Sequence, residues 1–344
     1  MPQRRPFFAI FVARRQEAVR HSQSENFVFS LPLLSPFAIF ATENIFRPYL
    51  PMKSYVYHLV ALFTIGVWGT TFVSTKVLLN NGLSPIDVIF YRFVLAYICL
   101  WAISYQRVWA KSLKDEILLM GGALSGGSIY FLAENTALTM SYASNVSLIV
   151  CTAPLLTAIV VRLFYRQYRL STQFIIGSLI ALAGVAIVVF NGHFVLNLNP
   201  IGDLLSFSAA WLWAFYSLII KKLNGRYSTA FITRKIFFYG IISLLPLFAH
   251  EPLYFSSQLW SNPVIAGNLL FLGIVASMLC YMLWNVVLKH LGTVRASNYI
   301  YFNPVMTLLA SSLVLGESLT TVFIVGAALV LGGVFIADRR IMKE

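Results

Sequence analysis

Two charged residues stand inside long apolar stretches of this sequence, where an ionised side chain at the centre of a membrane helix costs about 3 kcal/mol or more. Glu134 is the one acid well inside such a stretch, and Arg92 lies inside the preceding one. An acid there is typical of a site for a cation, a proton or an amine, although a carboxyl group hydrogen-bonded between helices gives the same pattern. Because both residues lie at similar depth from the same end, we expect them to pair.

Polar and aromatic residues concentrate in a few of the apolar stretches. Tyr130 and Glu134 are four residues apart, as are Tyr281 and Asn285, so each pair shares a helix face. Side chains of this kind, well inside a stretch, predict a central cavity for an apolar or amphipathic cargo, with ordinary packing as the alternative. The predicted cavity residues are Trp68, Thr71, Tyr130, Glu134, Asn135, Trp213, Tyr216, Tyr281, Trp284, Asn285, Asn298, Tyr301 and Asn303.

Two prolines, Pro154 and Pro304, interrupt apolar stretches in their middle. Proline removes a helical hydrogen bond and frees the carbonyl group four residues earlier, here that of Val150 and that of Ile300. A freed carbonyl group in lipid must find another partner, so these positions are expected to face protein or a wet cavity. We interpret the prolines as hinges, with static kinks as the alternative.

The composition of the chain indicates that membrane-spanning helices position these residues. The chain has 344 residues, of which 59% are hydrophobic and 11% charged, whereas a soluble domain carries about 25% charged residues. The net charge of +13 does not indicate nucleic-acid binding, because the basic residues lie between apolar stretches and not on one face. The partners expected are the lipid bilayer and a small-molecule substrate.

No metal, cofactor or disulfide is expected from the sequence. The five histidines have no metal-ligand spacing, and no nucleotide-binding glycine loop or nucleophile motif occurs. The three cysteines all lie in apolar stretches, where they behave as small hydrophobic residues. An intramembrane enzyme needs paired acids or a nucleophile with its base, and this chain has one buried acid with no histidine beside it. We therefore predict that the protein is not an enzyme.

The apolar stretches predict ten transmembrane helices. Their connections are short, so neighbours are antiparallel, and the fifth and tenth, aliphatic with glycines, are expected to pack outside the cavity. The predicted spans are 55–79, 85–105, 116–138, 142–164, 172–190, 201–221, 230–248, 264–288, 293–315 and 320–337.

The charges of the connections predict the orientation. Every odd-numbered connection lacks Lys and Arg, whereas every even-numbered connection and the C-terminal tail carry them. By the positive-inside rule both termini are cytoplasmic. Arg234 and Lys235, at the basic end of the seventh span, are predicted to anchor that end at the lipid headgroups.

Residues 135–167 overlay residues 285–317 at a fixed offset of 150 without a gap. A five-helix unit repeated in tandem must insert in opposite orientations. We predict an all-α integral membrane protein of ten transmembrane helices, built as two inverted five-helix repeats at 52–192 and 200–338, with the substrate site where they meet. Residues 1–51 are predicted to be an N-terminal extension, disordered or not native, and 339–344 a cytoplasmic basic tail. The aligned pairs are Asn135/Asn285, Leu138/Leu288, Ser147/Ser297, Pro154/Pro304, Thr157/Thr307 and Leu163/Leu313.

Several motifs resemble those of the drug/metabolite transporter superfamily, EamA type. They are the Trp-Gly-Thr-Thr-Phe run at Trp68–Phe72, the stretch from Pro304 to the Gly-Glu pair ending at Glu317, and the glycines Gly326 and Gly333. The first copy has Arg-Gln where the second has Gly-Glu, at 166–167, which favours a structural turn role for Glu317. The resemblance covers about 52–338 and implies an integral transporter of the cell (inner) membrane.

Many members of this superfamily are exporters, so the resemblance implies export of a small metabolite, an amino acid or an amphipathic drug. We expect a secondary transporter that works by alternating access, since no nucleotide-binding motif is present, with proton coupling through Glu134 as a hypothesis. The alternative is a non-transporting membrane scaffold or lipid-handling protein.

Overall fold

A computed structural model describes most of the chain beyond its first residues. The predicted extension at 1–51, the turn at Glu317 and the Arg-Gln pair at 166–167 lie outside the described residues, as does part of the tail. The described ranges are 54–104, 108–165, 169–190, 199–256, 258–315, 320–339 and 342–343.

The first half of the chain forms five helical segments. Ser84 begins the second with a capping box: its hydroxyl accepts from the Asp87 N–H, and the Asp87 carboxylate accepts from the Ser84 N–H. The segments are α1 (Ser54–Asn80), α2 (Pro85–Ile103), α3 (Leu113–Met140), α4 (Ala143–Val150 and Ala153–Phe164) and α5 (Thr172–Phe190).

The second half repeats this arrangement. Asn199 caps the start of its first helix by accepting from the Gly202 N–H at 3.0 Å, and Ser228 caps the next by accepting from the Phe231 N–H at 3.3 Å. The segments are α6 (Pro200–Leu223), α7 (Thr229–Leu244, then a 3-10 turn at Leu245–Ala249), α8 (Pro263–Leu291), α9 (Thr293–Asn298, a 3-10 turn at Tyr299–Phe302, then Asn303–Leu315) and α10 (Thr321–Arg339).

The fold is that of an all-α membrane protein, as predicted. Eight of the described helices are long and apolar enough to cross a bilayer. The two other segments are α5, whose apolar part is shorter, and α9, which is broken. Ten crossings therefore remain a prediction. A two-residue antiparallel ladder pairs β1 (Arg169–Leu170) with β2 (Met342–Lys343), so the chain between α4 and α5 meets the residues after α10.

The two halves use equivalent contacts. In the first half α1 packs on α8 and α9, and in the second half the corresponding helix α6 packs on α3 and α4. Helices α2 and α7, also equivalent, pack on each other, and so do α5 and α10. This reciprocal pattern is the one that two related halves give when they face each other across a shared interface.

Glycines allow α5 and α10 to approach closely, as predicted for these aliphatic helices. A Cβ atom added at Gly184 would come within 2.7 Å of the Val330 nitrogen and 2.8 Å of the Gly326 oxygen. The two backbones are therefore in direct contact, and the pair stands apart from the aromatic residues described next.

Helices α3 and α8, which correspond in the two halves, are both interrupted by π-helical turns. These turns span Leu124–Ser128 and Phe271–Leu279. In α3 the interruption brings Gly126 against the Tyr216 ring, with no room for a Cβ atom. Such interruptions are frequent at functional sites, because they change the direction in which the following side chains point.

Candidate substrate-binding cavity

A small cavity lies where helices from both halves meet. Its volume is about 30 Å³, which is room for a water molecule or two. The cavity is therefore small in this conformation. The lining residues, from α1, α2, α3, α4, α6 and α9, are Trp68, Thr71, Phe72, Arg92, Tyr130, Phe131, Glu134, Val150, Ala153, Trp213, Ile300 and Asn303.

Glu134 is buried in the cavity wall with only 5% of its surface exposed. The hydroxyl group of Tyr130, one turn earlier on α3, donates to its Oε2 atom. The four-residue spacing that the sequence contains thus becomes a hydrogen bond along one helix face. This contact fixes the carboxyl group at the cavity and leaves its second oxygen for another partner.

Arg92 of α2 also lines the cavity and is buried, with 1% of its surface exposed. Its Nε atom donates to the Ser277 hydroxyl of α8 at 2.9 Å, and its guanidinium carbon lies 4.0 Å from the centre of the Phe131 ring. These two contacts hold the side chain between α3 and α8.

The predicted direct pair between Arg92 and Glu134 is wrong for this conformation. Within the described part of the chain the two side chains form no ion pair, because Ser277 and Phe131 hold the arginine and Tyr130 holds the acid. Both nevertheless line the same cavity. The wall thus presents one positive and one negative group, each with its own support.

Three aromatic side chains of the second half pack around Trp68, and the four together form a cluster that joins the two halves. Its ring centre is 5.2 Å from Trp213, 5.4 Å from Tyr281 and 5.3 Å from Trp284. The Trp68 Nε1 atom donates to the Ala276 carbonyl oxygen at 2.9 Å, which fixes the ring on α8. Of these four aromatic residues only Trp68 and Trp213 line the cavity, so the other two support it from behind.

Four predicted cavity residues do not line the cavity but pack behind the residues that do: Tyr216, Tyr281, Trp284 and Asn285. The Tyr281 hydroxyl donates to the Gly126 carbonyl oxygen at 2.6 Å, and the Tyr216 hydroxyl donates to Asn285 Oδ1 at 3.0 Å. Asn285 Nδ2 in turn donates to Thr233 Oγ1 at 3.0 Å. Three of the four polar groups thus have partners in the packed interior, and the network joins α3, α6, α7 and α8.

Three further predicted residues are buried outside the lining: Asn135, Asn298 and Tyr301. Asn135 follows Glu134 directly, so its side chain is turned by about 100° around the helix axis. Its Nδ2 atom donates to the Pro85 carbonyl oxygen at 3.5 Å, a weak contact with the start of α2. In α9 the residues that line the cavity are Ile300 and Asn303. Tyr301 is fully buried and is not part of the lining.

Both prolines predicted as hinges lie beside interruptions of their helices. Helix α4 is interrupted between Val150 and Ala153, and α9 changes to a 3-10 turn over Tyr299–Phe302. Residues at both breaks line the cavity. The thiol group of Cys151 donates to the Ile300 carbonyl oxygen at 3.2 Å, so the group freed by the second proline is bonded across the two breaks. Motion about them stays a prediction.

Sequence reasoning missed three lining residues, Ala153, Phe131 and Phe72. Ala153 borders a helix break, and the proline pattern that pointed to Val150 and Ile300 is the signal that could have found it. Phe131 and Phe72 are apolar residues whose direction depends on helix rotation, which the sequence does not define.

The prediction that Arg234 and Lys235 anchor α7 at the headgroups is wrong, because both are buried with 3% of their surface exposed. Lys235 forms an ion pair with Glu116 of α3, and Arg234 donates to the Ser104 carbonyl oxygen. These contacts join α7 to the first half of the chain, so the two basic residues hold protein segments together.

The fold and the cavity define the class of the protein: a multi-pass membrane protein with a buried polar and aromatic cavity between two repeats. The sequence profile of the EamA-like transporter family matches residues 55–190 and 200–337. The chain belongs to the EamA-like transporter family. It is therefore a membrane transporter and not an enzyme.

Relatives named as transporters agree with this assignment. An uncharacterized transporter of Archaeoglobus fulgidus is 27% identical over 82% of this chain and 97% of its own length. A probable amino-acid metabolite efflux pump of Escherichia coli is 25% identical over 80% of this chain and 93% of its own. A probable terminal-alkyne amino-acid exporter of Streptantibioticus cattleyicolor is 25% identical over 81% of this chain and 92% of its own.

A solved crystal structure has the same fold. It superposes with a TM-score of 0.62 at 18% identity, and the match covers 83% of this chain and 97% of that one.

Proposed function

We propose that the protein exports a small zwitterionic metabolite of the amino-acid class through the cavity between its two halves. The observation that carries this proposal is that Arg92 and Glu134 line one cavity without pairing with each other. An amino acid carries a carboxylate and an ammonium group on one carbon atom. The guanidinium group of Arg92 suits the carboxylate, and the carboxylate of Glu134 suits the ammonium group.

Two polar atoms of the wall support a polar ligand. Trp213 Nε1 and Asn303 Oδ1 are buried and have no hydrogen-bond partner among the residues that the structure describes. Both residues line the cavity. A buried donor and a buried acceptor without partners are costly, and a ligand with an anionic and a cationic end would satisfy both.

The aromatic walls favour a cargo with an apolar side chain. Trp68, Phe131 and Trp213 present ring surfaces to the cavity, and such rings bind apolar groups through area burial and cations through their faces. The names of the Escherichia coli and Streptantibioticus cattleyicolor relatives, an amino-acid metabolite efflux pump and an amino-acid exporter, favour the same substrate class and the outward direction.

Transport by alternating access is supported by the size of the cavity. At about 30 Å³ it is too small for an amino acid, so the helices around it must separate to load and release the cargo. The breaks in α4 and α9 lie against each other, and residues at both line the cavity, so they are the natural places for that motion. Broken helices at the interface of two inverted repeats are typical of secondary transporters.

Glu134 also supplies a mechanism for proton coupling. The Glu134 carboxylate does not hold a proton and an ammonium group at the same time. When the cargo is released outside, Glu134 takes up a proton from that side. When Glu134 loses the proton inside, it is ready to bind the next cargo molecule. This competition gives exchange of a proton for the zwitterion. It uses the proton gradient and needs no nucleotide.

The test is flux through the purified full chain in proteoliposomes. Labelled phenylalanine is compared with phenethylamine, which lacks the carboxylate, and with phenylpropionate, which lacks the ammonium group. We expect phenylalanine to move at least tenfold faster than either analogue, and faster with an opposing proton gradient. Equal rates for all three would contradict the zwitterion site, and no flux of any would favour the membrane scaffold.

Substitutions test the roles of the two charged residues in transport. We expect Glu134→Gln and Arg92→Gln each to reduce phenylalanine flux tenfold or more. The matched control is Glu251→Gln, since Glu251 is exposed and lies after the 3-10 turn that follows α7. Flux unchanged in Glu134→Gln would overturn the role of that residue.

A further inference from the structure

A second cavity lies at the end of the bundle where α3 begins and where α4 and α6 end. Its volume is about 430 Å³, much larger than that of the central cavity, and three of its five lining side chains are cationic. It is formed by both halves of the chain. We call it the basic pocket, and its lining residues are Lys114, Leu118, Tyr165, Lys222 and Arg226.

The acids near the basic pocket already have partners. Asp115 accepts from Arg226 Nη1 and from the Tyr227 hydroxyl, both at 2.8 Å. Among the described residues no carboxylate lies within ion-pair distance of Lys114 or Lys222. The described residues therefore do not balance the positive charge of the basic pocket, and an anion would balance it.

The surface beside the basic pocket is apolar and faces outward. Leu113 is 78% exposed, Ile117 57% and Phe164 58%. The Nζ atom of Lys222 lies 5.6 Å from the centre of the Phe164 ring, so the basic groups border this apolar surface directly. In a membrane protein, exposed apolar residues of this kind contact acyl chains, and lysines at the helix ends lie at the headgroup level.

We propose that the basic pocket binds the phosphate group of an anionic phospholipid. The cationic lining takes the headgroup, Leu118 and the neighbouring apolar surface take the beginning of the acyl chains, and the ligand is therefore a lipid and not free phosphate. Basic pockets between membrane helices are a known way of recognising anionic headgroups. Lys114 and Tyr165 belong to the first half and Lys222 to the second, so the lipid bridges the two halves at this end.

The experiment measures lipid binding to the purified full chain in neutral detergent. Dioleoyl phosphatidylglycerol is titrated while the thermal midpoint is recorded, and lipid retained on the protein is counted by native mass spectrometry. Dioleoyl phosphatidylcholine, with the same acyl chains, and inorganic phosphate are the comparison probes. We expect phosphatidylglycerol alone to raise the midpoint and to remain bound as one molecule per chain.

The double variant K114Q/K222Q tests the site. We expect it to bind phosphatidylglycerol about thirtyfold more weakly, since each basic residue near an anionic headgroup contributes a factor of about five. The matched control is K111Q/K289Q, which removes two exposed lysines at basic connections without touching the basic pocket. It is expected to bind within about twofold of the unmodified protein.

Two results would overturn the proposal. One is equal loss of binding in both double variants, because the effect would then be general surface charge. The other is stabilisation by inorganic phosphate as strong as that by phosphatidylglycerol, because the site would then recognise an anion without its lipid. Where K114Q/K222Q fails to fold, the single variant Lys222→Gln gives the same test with a loss of about fivefold.

Discussion

The interface between α5 and α10 and the centre of the bundle are built in opposite ways. At the interface, glycines bring two backbones into contact and the neighbouring side chains are aliphatic. At the centre, large aromatic rings from α1, α3, α6 and α8 pack at ring-centre distances of 5.2 Å between Trp68 and Trp213 and 6.0 Å between Tyr216 and Tyr281. Hydrogen bonds between side chains and backbone then fix those rings.

The difference indicates where the protein tolerates change. A backbone contact has no side chain that can move aside, so any added atom separates α5 from α10. The centre is made of side chains, some with polar atoms that lack partners, and these can rearrange around a cargo. The comparison thus predicts loss of folding at the first region and loss of transport at the second.

The largest effect is expected for Gly333→Leu. A Cβ atom at Gly333 would come within 2.6 Å of the Gly177 carbonyl oxygen, and overpacking of this kind costs about 1–3 kcal/mol or more. We expect most of the folded protein to be lost, measured as monodisperse yield and thermal midpoint. Gly332→Leu is the matched control, since a Cβ atom at Gly332 meets nothing within 4 Å. Equal stability of the two variants would contradict the close contact.

The next effect concerns the two charges of the central cavity. We expect Arg92→Met, Glu134→Met and the double variant all to fold and all to lose transport tenfold or more. Because each residue has its own supporting contacts, we expect the double variant to keep the loss of thermal midpoint seen in the single variants. A double variant that regains the stability and transport lost in the singles would instead identify a structural ion pair and would remove the basis of the zwitterion site.

Much of the bundle could be predicted because each helix leaves a local signal. Apolar length located the helices, Pro154 and Pro304 located the breaks, and the four-residue spacing placed Tyr130 beside Glu134. Rotation of each helix about its axis leaves no comparable signal in a chain whose outer surface is also apolar. For that reason the sequence predicted three cavity residues that pack behind the lining and are not part of it: Tyr216, Tyr281 and Trp284.

The sequence also did not predict contacts between side chains that are far apart in the chain. Lys235 stands at a helix end, which is the usual place of a headgroup anchor, but its carboxylate partner Glu116 is in the other half of the chain. The same limit applies to Arg92, whose contact with Ser277 joins residues far apart in sequence. Charge type and predicted depth did not identify these partners, because packing between the helices decides what the two side chains bind.

A smaller effect is expected behind the cavity, for Tyr281→Phe. The change removes the hydrogen bond to the Gly126 carbonyl oxygen and leaves the ring in place. We expect a loss of about 1 kcal/mol in the free energy of unfolding, with reduced transport because the π-helical turn of α3 loses its support. The control is Tyr142→Phe, since Tyr142 is 60% exposed. Unaltered stability in Tyr281→Phe would show that ring packing alone holds this turn.

The smallest effect is expected for Thr307→Val, which probes the contact between α9 and α1 next to the cavity. The single hydrogen of the Thr307 hydroxyl is shared between the Gly69 carbonyl oxygen of α1, at 2.8 Å, and the Asn303 carbonyl oxygen of its own helix, at 2.9 Å. Valine keeps the shape and removes both bonds, of which a bond between membrane helices contributes about 0.6 kcal/mol.

Thr139→Val is the matched control for that change, because the Thr139 hydroxyl is exposed and bonds only its own helix, at Thr136. The difference between the two variants therefore isolates the bond between α9 and α1. We expect a slightly lower thermal midpoint and a faster transport cycle in Thr307→Val, since separation of these two helices opens the cavity. A slower cycle at unchanged stability would mean that α1 and α9 move together, and that the opening occurs on the side of α4 and α6.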